Sequence, residues 1–266
     1  MDLNLQGKVA VVTGGSRGIG KAIARTLARE GADVALIARN KPDADAAAAQ
    51  IGAESGRTLR AYSADTGEDN AVRNAFANIA SDFGRLDILV NLAAQVAGQA
   101  PAPKLNEITN ENFWAEINVK VLGYMRCARE AVPHMQKAGW GRIINISGLA
   151  ARSTGSIIGT IRNISVAALT KNLADELGPS GINVTCVHPG VTRTEKTAGL
   201  VLRRAEAAGV TSEDIEKRMA DANTIRHLVT AEEVADVVAF LASPKSIAIN
   251  GDAIAAGGGM PGAIYY

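Results

Sequence analysis

The sequence is poor in the residue types that several binding chemistries require. Aromatic residues make up 4% of the 266, and 28 Lys plus Arg are nearly matched by 27 Asp plus Glu, for a formal net charge of +1. A nucleic-acid binder needs a basic face or stacking rings, so that class is set aside. The three histidines, His134, His188 and His227, are scattered, and no short-range cluster of His, Cys and carboxylate suggests a metal site. Cys127 and Cys186 lie far apart inside apolar segments, which favours buried free thiols over a disulfide. No run of 18 apolar residues occurs, and Met1–Gly7 lacks a charged-then-apolar signal pattern, so a soluble cytoplasmic protein without membrane contact is expected. Tyrosine is absent from Met125 to Ile264; the four tyrosines are Tyr62, Tyr124, Tyr265 and Tyr266.

Apolar runs alternate with segments of helical period over a length that suits one large domain spanning 1–266. Strands are expected near 8–13, 33–38, 58–63, 86–91, 141–147, 182–187 and 252–256. Helices fit at about 18–30, 42–54, 68–83, 109–138, 155–178 and 231–242. Continuous apolar strands alternating with helices indicate an α/β fold, a Rossmann-type doubly wound parallel sheet of about seven strands with helices on both faces. Ligands of such sheets lie at the carboxyl ends of the strands.

The first strand-to-helix junction reads Thr13-Gly14-Gly15-Ser16-Arg17-Gly18-Ile19-Gly20. Gly14 permits the chain reversal, Gly18 a close approach of backbone to a pyrophosphate, and Gly20 tight packing of helix on strand. The free N–H groups of Ser16 to Gly20 would face phosphate oxygens. This spacing resembles the short-chain dehydrogenase/reductase family. Further segments share the resemblance: Asp65-Thr66 at the adenine-contacting position, Asn91-Leu92-Ala93-Ala94 in place of Asn-Asn-Ala-Gly, Asn118 as the active-site asparagine, Pro189-Gly190-Val191-Thr192-Arg193-Thr194 as the nicotinamide loop, and Gly251–Ile254 as the last strand. Together they run from about Lys8 to Gly259. The resemblance implies a nicotinamide cofactor held by Gly14, Ser16, Arg17, Gly18, Ile19, Gly20, Asp65, Thr66, Asn91, Ala93, Pro189, Gly190, Thr192 and Thr194.

The second strand ends Leu36-Ile37-Ala38-Arg39, without the acid that would hold both ribose hydroxyls of NAD(H). Arg39, with Arg17 from the glycine turn, can fork onto a 2′-phosphate, so NADP(H) is expected over NAD(H).

The family's usual chemistry uses a serine, a tyrosine and a lysine one turn later, with an asparagine completing the relay. Aligned from Gly141–Ile146, the serine position falls on Gly148, beside Ser147. Aligned back from Leu169–Leu177, the tyrosine falls on Gly159 and the lysine on Asn163; counted forward, they fall on Ile161 and Ser165. The expected catalytic set is therefore Asn118, Ser147 and Asn163. Arg162 is able only to stabilise an oxyanion, and His188 or a tyrosine of the Gly257–Tyr266 tail is an outside source of proton exchange. Two functions stay open: an NADP(H)-dependent oxidoreductase of a small carbonyl or alcohol with a non-standard site, or a catalytically silent NADP(H)-binding sensor or oligomer partner.

Residues 195–223 interrupt the alternation with helix-like Leu200–Ala208 and Ser212–Ala222, either a substrate lid or two fixed surface helices. Helices 109–138 and 155–178 carry apolar and small residues on more than one face, which points to a homodimer or homotetramer.

Overall fold

The computed structural model describes residues 1–94 and 102–264. Seven strands, β1 Val9–Thr13, β2 Asp33–Ala38, β3 Leu59–Ser63, β4 Ile88–Asn91, β5 Gly141–Ile146, β6 Ile182–Pro189 and β7 Ala253–Ala256, form one parallel sheet in the order β3-β2-β1-β4-β5-β6-β7. The order reverses between β1 and β4, which opens a crevice at the carboxyl ends of these two strands.

The helices are α1 Gly18–Arg29, α2 Lys41–Ser55, α3 Asp69–Phe83, α4 Asn110–Ile117, α5 Gly123–Ala138, α6 Ile157–Leu177, α7 Thr197–Ala208, α8 Ser212–Asp221 and α9 Ala231–Ala242. Both faces of the sheet are covered. On one, Ile23 and Leu27 of α1, Ile51 of α2 and Val238 of α9 pack on Val12, Leu36 and Val90. On the other, Phe76 and Ile79 of α3, Met135 of α5 and Leu177 of α6 pack on Val11, Leu89 and Ile143. Central strands buried on both sides explain the uninterrupted apolar runs.

The chain departs from the expected single helix over 109–138. Between α4 and α5, residues Asn118–Leu122 form a π-helical turn, and the Gly123 N–H reaches back to the Asn118 carbonyl. The extra residue shifts the register of the helix and turns Lys120 into the protein. The helix expected from Leu200 begins at Thr197. With α8 it encloses a small core of Val201, Ala205, Ile215, Met219 and Leu228, separate from the two large ones.

Candidate active site

The turn after β1 is shaped by sterics. Gly14 has φ +71°, and a Cβ there would press on the backbone of Ala93; a Cβ on Gly20 would collide with the Gly14 carbonyl. Gly14, Ser16, Gly18, Ile19 and Gly20 therefore form a tight turn at the N-terminus of α1 in which Gly14 and Gly20 leave no room for a side chain. Thr13 Oγ1 accepts from the N–H groups of Leu92 and Ala93 at 2.9 and 3.1 Å, tying the segment after β4 to the turn.

One anion already sits at this N-terminus. The Gly18 N–H donates to the Glu195 carboxylate, at 2.9 Å to Oε1 and 3.2 Å to Oε2. The cradle thus accepts negatively charged oxygen at the head of the α1 dipole, which a dinucleotide pyrophosphate requires. A groove of about 580 Å³ runs alongside, lined by Ser16, Arg17, Gly18, Thr194, Glu195 and Thr230 among others. Arg17 is exposed and its side chain does not cap α1. Arg39 is also exposed, with Nη1 4.0 Å from Asp65 Oδ2.

The other expected cofactor residues occupy the same carboxyl edge. Asp65 Oδ1 accepts from the Gly67 N–H at 2.8 Å, and buried Thr66 donates to the Val119 carbonyl at 3.3 Å. Asn91 is fully buried, donating to Asn145 Oδ1 at 3.0 Å, and its own Oδ1 has no partner. Pro189 ends β6, Gly190 lies against Gly257, Thr192 Oγ1 donates to the Gly190 carbonyl, and the Thr194 N–H donates to Thr197 Oγ1.

The expected catalytic residues do not all converge. Ser147 and Asn163 do: Ser147 Oγ donates to the Asn163 carbonyl at 2.9 Å and lies 3.4 Å from its Oδ1. The Asn118 side chain points elsewhere. Its amide donates to the Gly67 carbonyl at 3.1 Å, and its Oδ1 accepts from Arg126 Nη2 at 2.8 Å. The π turn sends Lys120 to the other two instead. Lys120 Nζ donates to the Ser147 carbonyl at 2.9 Å and to Asn163 Oδ1 at 3.0 Å. One turn further, the Tyr124 hydroxyl donates to the Ile146 carbonyl at 2.8 Å, so two side chains of one helical segment pin the end of β5. Sequence reasoning missed Lys120. The available signal was a lone cation in the apolar stretch Ile117-Asn118-Val119-Lys120-Val121-Leu122.

Burial sets the electrostatics. Lys120 is 5% exposed, and desolvation, with Arg162 acting in the same direction, lowers its pKa to about 7. His188 is 1% exposed and lowered to about 4 by burial, with Arg152 and Lys120 adding repulsion; its Nδ1 accepts from the Gly148 N–H at 3.4 Å. Burial raises the Tyr124 hydroxyl well above its usual range. Arg162 is buried against Glu116, its carboxylate partner from α4. Gly159 lies on the first turns of α6 beside Ser156, which caps that helix. Tyr265 and Tyr266 lie outside the described residues.

A parallel sheet with an anion-binding glycine turn at its switch point defines a dinucleotide-binding Rossmann protein. Residues 14–261 match the family model described as enoyl-(acyl carrier protein) reductase. The chain is 35% identical over 257 residues to the short-chain reductase protein NovJ of Streptomyces niveus, covering 96% of this chain and 95% of that one. L-sorbose reductase from Gluconobacter frateurii, solved with NADPH and L-sorbose, superposes with a TM-score of 0.92 at 29% identity, covering 99% and 100% of the two chains. An NAD+-bound xylitol dehydrogenase superposes at 0.86 with 26% identity, over 96% and 100%. The protein belongs to the short-chain dehydrogenase/reductase family and is an oxidoreductase of that type. Among the described residues no helix is long and apolar enough to cross a membrane, and no three His, Cys, Asp or Glu side chains gather as a metal site would require.

Proposed function

We propose that the protein is an NADP(H)-dependent oxidoreductase acting on a small carbonyl or alcohol through a site that dispenses with the family's usual tyrosine and lysine. The observation that carries this reading is the meeting, at one edge of the sheet, of an anion-binding turn and a buried polar group of Lys120, Ser147 and Asn163. The α1 N-terminus would hold the pyrophosphate, Arg17 and Arg39 the 2′-phosphate, and Asp65 and Thr66 the adenine side. Asn91, Ala93, Pro189, Gly190, Thr192 and Thr194 would border the nicotinamide. When bound, the reduced nicotinamide supplies the hydride. Ser147 and its neighbours orient the substrate oxygen, while the 195–223 segment covers the site from the side of Glu195.

Solved neighbours bind NADPH in one case and NAD+ in another, so the nucleotide preference rests on Arg17, Arg39 and the missing acid at Ala38. A second copy of the chain would cover Ile157, Ile161 and Ile164, an exposed stripe on α6, and Met125 of α5. The test is calorimetric titration with NADPH and NADH, followed by a survey of aldehydes, ketones and quinones with the tighter nucleotide. NADPH-driven reduction of at least one class is expected. Tight NADPH binding without turnover on any of them would favour a nucleotide-binding sensor or oligomer partner.

A further inference from the structure

Lys120 is a buried amine whose burial the fold alone does not explain. A cation shut away from water is unfavourable unless paired, yet no carboxylate among the described residues forms an ion pair with it; Glu116, whose charge acts on it, is taken by Arg162. Its two acceptors are neutral, the Ser147 carbonyl and Asn163 Oδ1. An ammonium has three N–H groups, so one remains for a third partner. The residue stands in a π turn, a local insertion that recurs at functional sites because it redirects one side chain out of helical register. It also stands at the carboxyl ends of the strands, against the residue that follows β5, where this sheet places its ligand.

We propose that Lys120 is the catalytic residue that exchanges the proton in this site. The assignment rests on the carbonyl–alcohol reading of the function. With a reduced nicotinamide bound, hydride delivery would form the new C–H bond at the carbonyl carbon and leave the π pair on oxygen. Nζ–H of the ammonium then forms the O–H bond. The products are the alcohol, the oxidised nicotinamide and a neutral amine that recovers its proton from water; alcohol oxidation runs the same steps backwards.

The groups facing Lys120 suit this task and leave it unshared. Burial brings the amine to about 7, with Arg162 of α6 pushing down and Cys186 of β6 and Glu116 of α4 pushing up, so both protonation states are populated near neutrality. His188 of β6, lowered to about 4 beside Lys120 and Arg152, stays neutral at that pH. Tyr124 keeps its proton because burial raises it, and Arg162 is held by Glu116.

The experiment uses the full chain and compares wild type, Lys120→Gln, Lys120→Arg, and Lys120→Ala with and without ethylamine. NADPH fluorescence serves as the control for an intact site. Single-turnover hydride transfer is followed against pH, and the Lys120 Cε resonance of 13C-lysine-labelled protein, assigned by its loss in Lys120→Arg, is titrated without substrate. We expect the Cε titration to centre near pH 7, and wild-type reduction to be fastest below that value and to fall above it. Lys120→Gln should bind NADPH within about twofold of wild type while losing ~10²–10⁴-fold in rate and its pH dependence. Ethylamine should restore part of the Lys120→Ala rate, and this rescue with the titration decides the matter if Lys120→Gln does not fold. A Lys120→Gln rate and pH profile equal to wild type would overturn the assignment and leave the oxidoreductase reading standing, as would a Lys120 amine titrating with surface lysines above pH 10. Wild-type protein that binds NADPH yet transfers hydride to no carbonyl would overturn that reading, and this assignment with it.

Discussion

A lysine and a histidine enclosed in the same corner make folding itself depend on pH, in two separate windows. The Lys120 amine is at about 7 when folded and near ~10.4 when unfolded, so between those values the unfolded chain holds one more proton. Stability should therefore rise with pH across that window, by up to ~1.4 kcal/mol per unit, and Lys120→Met should flatten the rise; urea melts at pH 7 and 9.5 measure both. His188 acts at lower pH. Below ~6.5 the unfolded chain takes a proton that the folded one refuses until about 4, so stability falls as the pH drops through that range, and His188→Gln should remove the fall. Asn118 should behave as a structural amide: Asn118→Ala loses its links to Gly67 and Arg126, costs ~1–2 kcal/mol in a denaturant melt, and leaves the hydride-transfer rate of the bound substrate nearly unchanged. Counting along β5 and α6 reaches Ser147 and Asn163, and the fold brings the two into hydrogen-bond contact. The contact of Lys120 with them could not be read that way, since only a π turn decides that it, and not Asn118, faces inward.

Regular elements were read from the sequence nearly to the residue. The apolar runs that became β1, β2 and β4 had no alternative, being too short for a helix and bounded by turn residues. The 109–138 segment is helical from Asn110 to Ala138 as read, but its π turn was not legible, because helical periodicity continues through such a turn almost unaltered and one inserted residue leaves no compositional trace. The junction of β1 and α1 carries its own tests. Gly20→Ala should abolish nucleotide binding, and lower stability as well, since its Cβ would meet the Gly14 carbonyl, a backbone atom that cannot move aside without opening the turn; far-UV spectra and NADPH titration separate the two effects. If Arg17 and Arg39 grip a 2′-phosphate, NADPH should bind more tightly than NADH by at least ~1–2 kcal/mol, and Arg39→Ala should erase most of the difference while sparing NADH; calorimetry decides it.

At the scale of the whole molecule, the sheet order and both covered faces come from strand–helix alternation, which is why the architecture was legible when the burial of Lys120 was not. The surface is less uniform than the balanced charge suggests. Ile157, Ile161 and Ile164 succeed one another along α6 at helical spacing, each more than 40% exposed. Replacing Ile161 and Ile164 by lysine should convert a dimer or tetramer into a smaller species by light scattering, whereas a wild type already monomeric at micromolar concentration would contradict a self-association surface. The carboxylate of Glu195 on the Gly18 N–H has a consequence of another kind. It is a competitor tethered to the chain, present at a fixed effective concentration however dilute the protein. An incoming pyrophosphate is thus matched against an internal rival, and the measured affinity is the intrinsic one reduced by the fraction of molecules in which Glu195 has let go. Glu195→Gln should tighten NADPH several-fold, chiefly through faster association. Because Glu195 stands at the head of the 195–223 segment, its contact with Gly18 ties the start of that segment to the turn before α1, so the same substitution should also raise hydrogen exchange at the start of α7.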